Sequence, residues 1–218
     1  MSSAITPAWT PDPHRPSGSK NKPALYDTNT INSPLLFDML KSLSLTEQRI
    51  VLDAGAASQS SIDFFSDYWC KLIITDAMSD LQKLNLKSDD SLNTWHTTLG
   101  KTIRFNQHSK TKLDIIFLWT LPNYLSSQQL KTLIAYLLPH TSRCVKLHAY
   151  IYTTQRMPAE PAQYHITRNH KVIISPVTSE QNNCPLYHLA DLHNCFSPFK
   201  VDHSVMLSSG IQEYIFSA

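Results

Sequence analysis

The feature that most constrains this chain is the spacing of its strand-like runs. Runs at 50–52, 71–76, 113–119 and 144–153 are separated by stretches with helical periodicity. The last two, 201–207 and 212–217, are separated only by a turn around Ser208-Ser209-Gly210. Strands joined through helical crossovers lie parallel in one sheet, with right-handed connections. Strands joined by a short glycine-containing turn lie antiparallel. The chain is therefore expected to form an α/β fold, a mostly parallel sheet with helices on both faces, finished by a C-terminal antiparallel hairpin. The unbroken apolar run Ile115-Ile116-Phe117-Leu118 marks a central strand covered on both sides.

Helix signals fill the intervals. Ser33 followed by Pro34 is a helix start, and Leu36, Met39, Leu40 and Leu43 share one face of a helix over 34–43. Further helices are expected over 61–69, over 79–86 with Leu81 and Leu84 on one side, and over 186–194. The amphipathic stretch 126–138 is capped by Ser126 or Ser127 and closed by Pro139. A weak strand at Thr102-Ile103-Arg104-Phe105 brings the expected sheet to seven strands. Residues 1–23, with five prolines and many polar side chains, read as a disordered tail. Residues 24–218 read as a single domain.

Composition excludes several functions. A net charge of +2 with 17% charged residues argues against a nucleic-acid-binding protein, which needs a basic stripe. The N-terminus has no basic region followed by an apolar core, and no apolar run reaches the ~20 residues of a membrane helix. A cytoplasmic protein with reduced thiols and no membrane contact is expected. Cys70 and Cys144 fall in apolar runs and read as buried small hydrophobes. Cys184, His188, His193 and Cys195 are close in sequence, but a helix there turns the two histidines roughly 140° apart, so no metal site is expected. Four glycines in 218 residues leave little material for a phosphate-binding loop. Asp53-Ala54-Gly55-Ala56-Ala57-Ser58 does not supply the G-x-G-x-x-G of a dinucleotide-binding domain.

This order of elements, with these residues at the strand ends, resembles the class I S-adenosylmethionine-dependent methyltransferases over residues 35–218. Val51-Leu52-Asp53-Ala54-Gly55-Ala56-Ala57-Ser58 is similar to the family's Asp/Glu-x-Gly-x-Gly-x-Gly turn. Its first glycine is Gly55, and Ala57 and Gln59 stand at the second and third glycine positions. Ile73-Ile74-Thr75-Asp76-Ala77-Met78 carries an acid at the end of the second strand, 23 residues after Asp53. Leu113 to Trp119, followed by Thr120-Leu121-Pro122-Asn123-Tyr124-Leu125, is similar to the family's fourth strand and loop. The segments around Val201 and Tyr214 are similar to its terminal hairpin.

The resemblance implies S-adenosylmethionine as cofactor, with Asp53, Gly55, Ala57, Asp76, Ala77 and Trp119 on the cofactor side. Asp76 would receive the ribose hydroxyls, and Ala57 and Gln59 would decide whether the cofactor fits. Trp119, Asn123 and Tyr124 would line the transfer site. Tyr124 and His148 are the candidate catalytic residues, His148 because it is expected at the carboxyl end of its strand. Tyr150, Tyr152 and His165 are further candidates on the acceptor side. Methyl transfer needs mainly positioning, with a base only for a protonated acceptor.

The acceptor, a small molecule or a protein, is not readable from the chain. Two alternatives accompany this reading. One is a protein of this fold that has lost the cofactor and binds or regulates a partner. The other is an RNA ribose 2′-O-methyltransferase, for which Lys146 and Glu213 could form half of a Lys-Asp-Lys-Glu tetrad. Trp119 and Phe37 stand near the other two positions.

Overall fold

The computed structural model describes residues 30–43, 46–83, 92–104, 112–207 and 210–218. The tail expected over 1–23 lies outside these residues. In chain order the elements are β1 (Thr30–Ile31), α1 (Pro34–Leu40), β2 (Arg49–Asp53), α2 (Gln59–Phe65), β3 (Cys70–Ile74), α3 (Ala77–Lys83) and α4 (Leu92–Thr102). There follow β4 (Leu113–Trp119), α5 (Ser127–Leu137), β5 (Thr141–Tyr152), β6 (Arg156–Pro158), β7 (Gln163–Ile166), β8 (Val172–Ser175) and β9 (Gln181–Asn183). The chain ends with α6 (Leu189–Phe196), β10 (Lys200–Met206) and β11 (Ile211–Ser217).

The main sheet has the order β10-β11-β5-β4-β2-β3. β5, β4, β2 and β3 run parallel to one another, whereas β11 is antiparallel to both β5 and β10. The expected parallel sheet and closing hairpin are both present. β4 occupies the centre, and Ile115 to Trp119 are all buried, as an unbroken apolar run requires. α5 packs beside α4 and α6 and buries Leu130, Leu133, Ile134 and Leu137, a stripe at three- and four-residue spacing. Its start is fixed by a capping box. Ser126 Oγ accepts the Gln129 N–H, and the Gln129 side chain accepts the Ser126 N–H.

Among the described residues the main sheet has six strands where seven were expected. The run at 102–105 is not a strand. Thr102 ends α4, the Ile103 N–H bonds the Leu99 carbonyl at 2.7 Å, and Phe105 lies outside the described residues. Ile103 is a core side chain beneath a helix end, and its carbonyl accepts the Tyr136 hydroxyl. Two cysteines also differ from expectation. Cys70 is half-buried on edge strand β3 and Cys144 is exposed, because β5 turns Val145 inward instead.

Two smaller sheets stand beside the main one. β1, β8 and β7 form an antiparallel cover whose order is β1-β8-β7, and β6 pairs with β9. The cover is tied to α2, since the Ile166 N–H donates to Ser61 Oγ at 3.0 Å. No helix among the described residues is long and apolar enough to cross a membrane.

α1 is capped from a distance. The Ser33 side chain makes no capping bond to its own helix, and Glu213 of β11 takes that role. The Glu213 carboxylate accepts the backbone N–H groups of Leu35 and Leu36 and the hydroxyl of Ser33. A carboxylate at a helix N-terminus satisfies donors that have no intrahelical partner. Burial pushes the Glu213 carboxyl up, but His148, Ser33 and the Leu36 N–H outweigh it and hold the group below the usual range. Its contribution is complete above the ordinary glutamate pKa of about 4.3 and is lost as pH falls through the lowered value. Glu213→Ala is expected to cost about 3–5 kcal/mol at pH 7, because it strips a buried carboxylate from its buried partners. Urea unfolding measures this, and a loss below about 1 kcal/mol would contradict the assignment.

Candidate functional site

Three strand ends meet at one edge of the main sheet. β2 leads into Asp53-Ala54-Gly55, β3 into Thr75-Asp76, and β4 into Trp119-Thr120. Backbone bonds lock them together. The Ala54 N–H reaches the Phe117 carbonyl at 3.0 Å, Thr75 N–H reaches Asp53 at 3.0 Å, and Asp76 N–H reaches Gly55 at 3.2 Å. In open α/β sheets ligands bind outside these carboxyl ends, where neighbouring crossovers diverge. Asp53, Gly55, Asp76, Ala77 and Trp119 are therefore brought to one edge, as the sequence led one to expect.

What occupies the edge is the side chain of Trp119. Its backbone has φ +51°, which non-glycine residues rarely adopt, and its side chain has no exposed surface. The indole Nε1–H donates to Asp53 Oδ1 at 2.6 Å, and the Gly55 N–H donates to the same oxygen at 2.8 Å. The ring is stacked between Phe117, with centroids 5.3 Å apart, and Tyr164 of β7, at 4.9 Å and only 3° from parallel. Gly55 is needed for this arrangement, since a Cβ there would stand 2.9 Å from the indole nitrogen. The one glycine kept in the turn makes room for a side chain of the protein itself.

Asp53 is buried, and among the described residues these two N–H groups are the donors to its side chain. Desolvation pushes its carboxyl up to about 6, against the opposing pull of the Trp119 and Gly55 hydrogen bonds.

Asp76 and Ala56 line the remaining space at this edge together with Met78 and Gln163, and its volume is about 30 Å³. That is about one water's share of liquid volume, whereas small-molecule sites run from roughly 300 to 1,000 Å³. The residues expected to receive S-adenosylmethionine are brought together here, and among the described residues the Trp119 indole fills the space between Asp53 and Gly55. Ala57 is exposed and Gln59 turns along its helix to Asp63 Oδ1 at 2.7 Å. Neither of these positions closes the crevice; Trp119 does.

A larger cavity of about 500 Å³ lies beyond the end of β4, lined by Tyr124, Leu125, Gln129, Met157 and Asn182 among others. Tyr124 donates its hydroxyl to the Pro158 carbonyl at 3.1 Å. Burial, with Tyr152 nearby, pushes its pKa well above the usual tyrosine value, so the phenol stays protonated. Asn123 is committed to the fold. Its amide donates to the carbonyls of Thr120 and Tyr150, and its oxygen accepts the Tyr152 N–H.

His148 is not at the end of its strand. It lies four residues before Tyr152, fully buried, with Nε2 3.1 Å from Glu213 Oε1. Nδ1 has no hydrogen-bond partner, and the ring is walled by Phe117, Trp119 and Tyr150. A group with no exposed surface has no face to offer an acceptor. Tyr150 is equally buried and donates to Ser33 Oγ at 2.7 Å. His165 sits on the cover sheet against Ser175 Oγ, with burial lowering its pKa.

The suggested half-tetrad is not assembled. In the β5–β11 pairing Lys146 stands opposite Ser217 and Glu213 opposite Tyr150, four positions along the strand, or roughly 13 Å. Phe37 packs instead against Phe64 and His170. Among the described residues no three His, Cys, Asp or Glu side chains come together as a metal site. Cys195 Sγ donates to the Ser127 carbonyl, and the His188 N–H donates to Asp191.

Sequence reasoning missed Tyr164, the roof of the stack. The signal was present in Gln163-Tyr164-His165-Ile166, whose alternation leaves Tyr164 and Ile166 buried, as in a half-covered strand.

Asp53 generates a prediction. Its folded pKa of about 6 lies above the unfolded value of about 3.9, so the proton stabilises the fold fully below the unfolded value. That stability is lost as pH rises through about 6. Asp53→Asn removes the effect. Its unfolding free energy relative to the natural chain should therefore rise by about 2–3 kcal/mol from pH 4 to pH 7.5. A difference independent of pH, measured by urea unfolding, would contradict the raised pKa.

Neither a family model nor a curated protein sequence matches the chain. Solved structures are similar at low identity. The PH0226 protein of Pyrococcus horikoshii is 9% identical with a TM-score of 0.47, covering 84% of this chain and 87% of that one. The 1,6-didemethyltoxoflavin-N1-methyltransferase of Burkholderia thailandensis, solved with 1,6-didemethyltoxoflavin and S-adenosylhomocysteine, is 9% identical with a TM-score of 0.46, covering 84% and 76%. The glycopeptide N-methyltransferase MtfA, solved with S-adenosylmethionine, is 10% identical with a TM-score of 0.46, covering 93% and 99%.

Proposed function

We propose that the chain is an S-adenosylmethionine-dependent methyltransferase of class I type, acting on a small-molecule or protein acceptor. The observation that carries this reading is the placing of Asp53 and Asp76 at the ends of adjacent parallel strands, joined through the Gly55 turn. An acid at each end is the arrangement that holds the amine and the ribose of such a cofactor. Ala77 follows Asp76 at the buried start of α3, and Ala57 borders the turn. On this reading the acceptor lies in the larger cavity beside Tyr124, which serves as a hydrogen-bonding and positioning group and not as a base. His148 acts through Glu213 and the packing of Trp119.

The alternative reading, in which the framework is kept without the cofactor and serves to bind a partner, would require that the indole in the crevice never yields to the cofactor. Methyl transfer has no geometry while Trp119 occupies the edge. The RNA alternative has little support, with Lys146 and Glu213 apart and a net charge of only +2.

Calorimetric titration of the full chain with S-adenosylmethionine and S-adenosylhomocysteine separates the two. The enzyme reading expects saturable binding, weakened at least tenfold by Asp76→Ala, or about 1.4 kcal/mol. Absence of heat at millimolar cofactor would overturn it in favour of the second.

A further inference from the structure

We infer that Trp119 is an internal occupant of the crevice, competing with any ligand for the space between Gly55, Asp53 and Tyr164. The inference rests on the placing of the ligand site at this sheet edge, as in the proposed function, and goes beyond it by naming what closes the site.

Three independent features of the indole are those of a bound ligand. It is stacked against two aromatic rings, those of Phe117 and Tyr164. Its single polar atom is paired with the one buried carboxylate at the edge. It also lies against a glycine whose missing Cβ leaves the needed room. Any buried tryptophan pairs its N–H and packs on aromatic neighbours, but core filling alone does not require a left-handed backbone that turns the indole over a glycine and onto the strand-end carboxylate.

The roof over the indole belongs to a separate layer. Tyr164 is on the cover sheet, whose described ties include the Tyr164 hydroxyl to Thr120 Oγ1 at 3.1 Å and the Ile166 N–H to Ser61 Oγ. Freeing the crevice requires the indole to give up its carboxylate bond and Tyr164 to lose its stacking partner. With the indole gone, the space offers one carboxylate between two aromatic faces. That environment selects a flat or cationic group carrying an N–H donor.

Trp119→Gly tests the inference, since glycine is at ease at positive φ and leaves the space open. Free indole and S-adenosylmethionine are the two probes, read by calorimetry and by thermal shift on the full chain. The variant should bind indole saturably, with a rise in Tm that the natural chain does not show. It should also bind S-adenosylmethionine at least tenfold more tightly than the natural chain. Trp119→Phe keeps the stack and loses the N–H, and should lie between the two in cofactor affinity. This second variant decides the matter if the glycine variant does not fold.

Indole binding without S-adenosylmethionine binding would uphold the internal occupant and overturn the methyltransferase reading. Failure of a folded Trp119→Gly chain to take either probe would overturn the inference. So would equal cofactor affinity in the natural chain and both variants, because the indole would then not stand in the way.

Discussion

The hydrogen bond from the Trp119 indole to the Asp53 carboxylate organises the carboxyl edge of the sheet. It joins the ends of β2 and β4 between two buried side chains, where a charge-assisted bond is strong and an unpaired carboxylate is costly. Several otherwise odd features follow from it. Trp119 accepts an unfavourable backbone angle to aim its nitrogen at Asp53. Gly55 lacks a side chain because the indole lies over it. Tyr164 is drawn flat onto the exposed ring face, which brings the cover sheet down over the strand ends.

A second buried network lies against the first. Glu213 gathers Ser33, the start of α1 and His148. Tyr150 reaches Ser33 from the neighbouring strand. His148 packs edge-on against Trp119, so the two networks share one aromatic wall. Polar residues at the sheet centre thus work for the architecture. Asn123 behaves likewise, with its whole amide spent on linking β4 and β5. Residue types that suggest chemistry in a sequence are satisfied by one another before any ligand is considered.

What was legible and what was not divides by the range of the signal. The buried strand β4, the capped helix α5 and the hairpin β10–β11 were visible because each is encoded within a few neighbouring residues. The run at 102–105 misled because a few residues without alternation read as a strand, whereas Thr102 and Ile103 form a helix end beneath the core. Cys144 misled because it adjoins the apolar part of β5, while the alternation Val145-Lys146-Leu147 begins one residue later and leaves Cys144 beside the exposed Arg143. In the candidate site, Asp53, Gly55 and Asp76 were recognisable from their places after apolar runs. Ala57 and Gln59 lie at the turn the sequence singled out, but the side chain that fills the edge is Trp119, 66 positions after Asp53.

The sequence by itself determined the layered α/β plan, the antiparallel ending and the set of acids at the strand ends. Periodicity and turn chemistry act locally, and strand ends inherit their positions from them. Only the tertiary structure decided whether the edge is open. That outcome depends on the direction of one indole, the absence of one Cβ and the arrival of Tyr164 from a distant strand. These are long-range packing choices, made when the side chains compete for the same buried volume, and no local pattern along the chain records which of them wins.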